Sequence, residues 1–312
     1  MSVTVRPLHE SDLAEADRIF RLAFGTFIGL PNPMDFAGDS DWVASRWRAD
    51  PDAAFAAEVD GRFAGSNLVT NWGGIGFFGP LTVHPDFWNQ GVAHRLLEPT
   101  VACFERWHTR HAGLFTFAQS ARHVWLYQRF GFYPRFLIAV MERTPPATTP
   151  AAVCTRLSAS TTSEREALLA ECRVLTNDVF EGLDVTQEIR SVATQRLGET
   201  LLVRDGSRLD GVAVCHVGAG SEGGSGVCYV KFAASRGGSG AGDRFERLLD
   251  AIESYAASRG ARVSAGVNLG REDAYRRLIA RGYRTAIQAV SMHRPNVAAT
   301  DRPDVYVLDD WR

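Results

Sequence analysis

The spacing of apolar residues along the chain switches repeatedly between the two-residue period of a strand and the longer period of a helix. "VTVRP" predicts a short strand. Leu13, Ile19, Phe20 and Phe24 then share one helical face, with Ser11 placed to cap the helix. Two strand-like runs meet at Asp60-Gly61, a dipeptide suited to the positive φ angles of a tight hairpin. The apolar stretch ending at Val83 predicts a buried strand, and Leu96, Leu97, Val101 and Phe104 a helix that Pro99 should bend. "LFTFAQ" follows as a strand, "SARHVWLYQRFGF" as a short helix closed by Gly131, and "RFLIAVMER" as a last strand.

The same order then recurs. "TTSEREALLAECRVL" is helical, and a second hairpin turns at Asp205-Gly206. A strand next leads through the Gly-rich "SRGGSGAGD" into a helix with Phe245, Leu248, Leu249, Ile252 and Tyr255 on one face. A strand, a short helix closed by Gly282 and the strand "TAIQAVSMHRP" complete the set. Matching points stand about 150 residues apart throughout, which reads as a tandem duplication. The Pro- and Thr-rich stretch between the copies reads as a linker, giving domains at 1–144 and 153–312 joined by 145–152. The segment "DRPDVYVLDDWR" reads as ordered, packing across the two halves.

Composition narrows the function classes. A net charge of -2 carries no electrostatic footprint for nucleic acid. Nearly all basic residues are Arg, and Lys231 is the sole Lys. Five scattered cysteines without CxxC spacing argue against a disulfide framework or a metal site and for a reducing compartment. No apolar run approaches the roughly 20 residues that cross a bilayer. The expectation is a cytoplasmic protein, monomeric or homodimeric, with no metal, membrane or nucleic-acid partner.

The candidate chemistry lies in "GPLTVHPDFWNQGVAHRLLEP", residues 79–99. A strand runs through Pro85 into a turn whose Gly91 and Ala93 leave the backbone open. Consecutive N–H groups from Asn89 to His94 then face outward at a helix N-terminus, which suits an anion. Arg95 is placed to assist with a phosphate. The alternative is that Gly91 only permits a tight turn.

Val83, Pro85, Trp88, Gly91 and Ala93 meet the pattern V-x-P followed by [QRW]-x-x-G-x-[GA]. Leu126, Tyr127, Gly131 and Phe132 meet L-Y-x-x-x-G-F. On these residues the sequence resembles the GNAT N-acetyltransferase superfamily, as a tandem-domain member. The second half offers Gly240 and Gly242 for the loop, and Ala274-Tyr275 and Gly282-Tyr283 for the helix, without the V-x-P lead-in.

The resemblance implies an α/β (α+β) fold of two GNAT-like domains, each a mixed, mostly antiparallel central sheet flanked by helices. It implies acetyl-CoA, or another acyl-CoA, between two splayed strands. The backbone of Leu81, Thr82 and Val83 would pair with the pantetheine arm. Trp88, Asn89, Gln90, Gly91, Val92, Ala93, His94 and Arg95 would hold the pyrophosphate. Ser120 stands where the family more often has Asn, and His123 where it more often has a small residue. Tyr127 would serve the leaving thiolate as acid; the competing reading is an aromatic plug.

No base stands out: His84 and His123 are candidates for structural or substrate contacts, and a water chain to a distant carboxylate is equally compatible. In the second half Asn268 stands before Tyr275 where the family often has Asn, so either copy could be the working one; the first is preferred. "FGTFIGLPNPMDFAGDSDWVASRWRADPD" lies where the family builds its acceptor site. Its Phe24, Phe27, Phe36, Trp42 and Trp47 with Asp35, Asp39 and Asp41 suit an amine on an apolar body, or else are core aromatics and solvated acids. The expected activity is transfer of an acetyl group to a primary amine of a small molecule. The alternative is a non-catalytic acyl-CoA-binding or regulatory protein.

Overall fold

The computed structural model describes residues 2–312. From the N-terminal side the chain forms β1 (Val3–Pro7), α1 (Leu13–Ile28), α2 (Ala44–Ala49), β2 (Ala54–Val59), β3 (Arg62–Trp72), β4 (Ile75–Phe78), β5 (Thr82–Val83), α3 (Val92–Arg106), β6 (His111–Thr116), α4 (Ala121–Gln128) and β7 (Tyr133–Arg143). It continues with β8 (Thr155–Arg156), α5 (Thr162–Val179), α6 (Thr186–Gln195), β9 (Gly198–Asp205), β10 (Arg208–Gly218), β11 (Gly224–Ser235), α7 (Ala241–Ser258), β12 (Arg262–Asn268), α8 (Glu272–Ala280), β13 (Arg284–Arg294) and β14 (Val307–Leu308). The two series run in the same order, and residues 144–154 between them form neither helix nor strand.

Local chemistry explains the elements. Asp60 and Gly61 take φ of 48° and 78°, the paired positive angles that close the β2–β3 hairpin. Thr161 and Glu164 form a capping box that starts α5. Ser11 does not cap α1: it lies inside a short 3-10 turn, Glu10–Asp12, and α1 begins at Leu13. The predicted face of α7 is fully buried. Helix α3 stays a single element through Pro99. The Thr100 hydroxyl beside it donates to the Leu96 carbonyl at 2.8 Å and accepts from Asn67 Nδ2 at 2.7 Å, which ties the helix to β3.

The strands join in one path, β1-β2-β3-β4-β6-β13-β7-β12-β11-β10-β9-β8, with β5 beside β3 and β14 beside β11. The last strand of each half is exchanged. β13 lies between β6 and β7, and β7 lies between β13 and β12, all antiparallel. The sheet curves until β3 and β4 face β11: Trp72 packs edge-on against Phe232 at 5.3 Å, and both are fully buried. This packing gathers Trp72, Ile75 and Phe77 into one core with Leu202, Val212, Phe232 and Trp311.

Candidate functional site

The site begins where two parallel strands separate. β4 pairs with β6 from Ile75↔His111 to Phe77↔Gly113, and the pairing stops there. Gly79 takes φ of +149°, a conformation open to glycine alone, and β5 then pairs with β3 only. Arg46 holds this break: its Nη1 donates to the Gly79 carbonyl at 2.6 Å. A cleft of about 1000 Å³ opens between β5 with the loop after it and β6 with α4.

Leu81, Thr82, Val83, Trp88, Asn89, Gly91, Val92, Ala93 and His94 line the cleft. Gly91 is the left-handed N-cap of α3, and nothing lies within 4 Å of where its Cβ would be, so the first N–H groups of the helix are open to a ligand. The Trp88 indole donates to the Val83 carbonyl at 2.7 Å and fixes the loop to the strand. Three of the expected contacts lie outside the lining: Gln90 Nε2 donates to the Asp86 carbonyl, Arg95 pairs with Glu98 at 2.6 Å, and Ser120 makes no side-chain cap bond. Arg122, which sequence reasoning missed, takes the place foreseen for Arg95. It lines the cleft beside the loop, with its guanidinium over the Trp88 ring at 5.3 Å. An Arg two residues past the Ser120 helix start was the available signal.

Tyr127 and His123, one helical turn apart on α4, line the cleft opposite β5. Tyr127 is buried edge-on against Phe78 at 5.7 Å. Burial pushes its phenol well above the usual value, and a hydrogen bond with Thr116 offsets this only in part. The hydroxyl therefore stays protonated throughout the neutral range. His123 packs on Phe27 at 5.0 Å, and burial lowers its pKa to about 4, so it is neutral. Its Nδ1 is buried without a partner. His84 lies apart from the cleft, accepting from the Asp86 N–H at 3.2 Å.

Beyond Tyr127 the cleft widens into an aromatic chamber. Phe24 and Phe36 stack at 5.2 Å, and Trp42 lies 5.8 Å from Tyr229 of β11. Trp47 is turned away, its indole donating to the Leu8 carbonyl. The three aspartates expected here are engaged elsewhere. Asp35 accepts from Asn32, Asp39 from Ser225, and Asp41 caps α2 through the Ala44 N–H. The acids in the cleft lining are Glu142 and, from the second half, Glu222.

Glu222 is buried between Arg46, at 2.7 Å, and Lys231, at 2.8 Å. Burial alone would raise its pKa, but the two adjacent cations more than reverse this and hold it well below the carboxylate range. Burial and the neighbouring Arg46 push Lys231 down against the pull of Glu222. The lone Lys of the sequence is thus a buried ion-pair partner, which its scarcity did not indicate.

The corresponding place in the second half is filled. β11 and β12 run parallel from Val227↔Arg262 to Val230↔Ala265 and then part. There β14 adds to β11 at Ala233 and Ala234, and Ser235 N donates to the Tyr306 carbonyl at 3.0 Å. At the α7 N-terminus Arg244 binds the carbonyls of Arg236 and Gly237, and the Arg277 guanidinium lies against Gly242. Asn268 spends its amide on Ser291 and Gly270, and Tyr275 lies outside the cleft lining.

Residues 17–132 match the sequence profile of the Acetyltransferase (GNAT) family. The match lies within the first half of the chain. No curated protein matches it. Its fold resembles that of a Pyrococcus horikoshii protein at TM-score 0.70 and 12% identity, over 99% of this chain and 95% of that one. It also resembles a GCN5-related N-acetyltransferase from Sphaerobacter thermophilus at TM-score 0.61 and 18% identity, over 96% and 98%. A third is a GCN5-related N-acetyltransferase from Anabaena variabilis, at TM-score 0.55 and 13% identity over 94% and 72%. The likeness in fold thus extends over the whole chain.

Proposed function

We propose that the chain is a GNAT-type enzyme that transfers an acetyl group from acetyl-CoA to a primary amine of a small molecule, in the cleft between β5 and the β6–α4 unit. One contrast carries this reading: the strand opening is free between β5 and β6, with Tyr127 beside it, and is filled by β14 between β11 and β12. The free β5 edge suits the amide groups of a pantetheine arm. The bare N-terminus of α3, with Arg122 nearby, suits a pyrophosphate. Acetyl-CoA bound there would supply the reactive thioester.

The protein's own groups divide the work. The amine nitrogen bonds to the thioester carbonyl carbon as the carbon–sulfur bond breaks. Tyr127 gives its proton to the departing thiolate, and the proton shed by the amine restores the phenol. Neutral His123 offers its unpartnered Nδ1 to an amine N–H. The aromatic chamber excludes water from the acceptor.

The test is to supply acetyl-CoA and a panel of amines to the purified protein and follow release of free CoA. Turnover on at least one amine is expected. Tight CoA binding with no turnover on any of them refutes the proposal in favour of a non-catalytic acyl-CoA-binding protein.

A further inference from the structure

The segment that fills the second cleft does not stop there. Beyond β14 it crosses the sheet, and Trp311 and Arg312 line the chamber of the first half. Its course is clamped from below by Arg271, 1% exposed, which donates to the Thr300 carbonyl at 2.8 Å and the Val307 carbonyl at 2.9 Å, and pairs with Asp309 at 2.9 Å. The strands beneath it are cut away where it passes. A Cβ on Gly113 of β6 would stand 2.2 Å from the Trp311 ring, and one on Gly266 of β12 would stand 2.2 Å from Asp310 Cβ. The Tyr229 hydroxyl donates to Asp310 at 2.9 Å, and Arg312 is bonded to the same carboxylate while its guanidinium covers the faces of Tyr229 and Trp42.

We infer that residues 300–312 form a strap that builds the acceptor site, and that the second half serves as its mount. The chamber wall so formed, in which the buried Tyr229 and Trp311 and the Arg312 guanidinium back the partly exposed rings of Phe24, Phe27, Phe36 and Trp42, selects a primary amine carried on a flat aromatic body. A flat ring stacks on such surfaces with little loss of conformational entropy, whereas a small hydrophilic amine gains nothing from them. The strap ends beside Gly79, where a Cβ would stand 3.7 Å from the Arg312 backbone, while nothing lies within 4 Å of the Cβ position of Gly91 at the α3 N-terminus, so its position bears on the acceptor end of the cleft rather than on the pyrophosphate end.

This inference rests on the acetyltransferase reading above. The experiment compares 2-phenylethylamine with ethanolamine as acceptors for the full chain and for Gly113→Ala, Gly266→Ala and Tyr229→Phe. The full chain is expected to prefer the aromatic amine in kcat/KM. Each variant should raise the KM for 2-phenylethylamine, by about tenfold for the glycine variants where a wall ring is displaced, and leave the KM for acetyl-CoA within about twofold. Tyr229→Phe keeps the ring and loses only the bond to Asp310, so it reports on the strap even if a glycine variant does not fold. Normal turnover with an unchanged 2-phenylethylamine KM in Tyr229→Phe and in every folded glycine variant overturns the strap and spares the enzyme. So does a matching rise in the acetyl-CoA KM. Absence of turnover by the full chain on any amine overturns the acetyltransferase reading and this inference with it.

Discussion

Replacing Glu222 by Gln tests whether the two halves act as one cooperative body. The side chain keeps its shape and loses its charge, so Arg46 and Lys231 remain buried without the carboxylate that lies 2.7 and 2.8 Å from them. Removing one partner from a buried ion pair costs about 3–5 kcal/mol, because the remaining charge stays desolvated. For a chain of this length that lowers the melting temperature by roughly 5–8 °C. Replacing all three residues by apolar ones of similar volume should recover most of the loss, since the desolvation cost then disappears with the charges.

The assay is urea unfolding followed by tryptophan fluorescence and far-ultraviolet circular dichroism. Arg46 belongs to the first half and Glu222 to the second, so both signals should shift together. Glu222 is held below its ordinary value of 4.5, so its stabilisation is present in full above that pH and drains away as the pH falls further. The variant should therefore lose part of the acid sensitivity of the parent. A destabilisation under about 1 kcal/mol, the size of an exposed pair, refutes the reasoning, as does a second transition that is unaffected by the change.

Tyr127→Phe should lower kcat by about a hundredfold or more with little change in the acetyl-CoA KM, as loss of a general acid does, and Tyr275→Phe should be without effect; equal rates for Tyr127→Phe and parent refute the assignment. The buried pair His111 and His293, 2.8 Å apart, is neutral because burial lowers their pKa values to about 4 and about 3. The unfolded chain takes up protons below 6.5 and the folded one does not, so stability is complete above that pH and falls toward pH 4, by about 3 kcal/mol for His111 alone; a flat stability from pH 7 to 4.5 contradicts this. Residues 1–144 expressed alone should aggregate unless co-expressed with 145–312, because β13 is the partner of both β6 and β7. A folded monomer of the first piece, seen by analytical ultracentrifugation and circular dichroism, refutes that.

Much of this was legible in the chain because it is local. Asp60-Gly61 names its turn, and Val83 to Ala93 with Tyr127 carry the family resemblance, whereas the Ser11 cap failed and the Thr161–Glu164 cap went unread. The strand exchange was not legible. A strand's alternation says which face is buried and nothing about its partner, so β7 and β13 read the same whichever half they join. The six-residue helix α2 gave too few turns for a period to emerge. The expected acceptor acids failed for a different reason: the nearby Ala44 N–H satisfies Asp41 locally, and Asp39 is taken by the N–H and hydroxyl of Ser225, 186 residues away. Glu222, which does reach the chamber, lies 176 residues from Arg46, beyond any local rule.

The filled second cleft explains why glycines stand where strand propensity disfavours them. Glycine in a strand interior weakens it and is kept where another backbone or side chain must come close. Gly113 and Gly266 sit in β6 and β12, on opposite sides of the exchanged pair, and both clearances face the same segment. Neither is needed to close a turn or to expose a helix end. Their use appears only once Asp310 and Trp311 are seen crossing above them. A half that had merely decayed would have no reason to keep Gly266 open or to bury Arg271 beneath the crossing chain. In the place that stays open in the first half, the second half holds a piece of its own chain, and that piece reaches the first half's cleft.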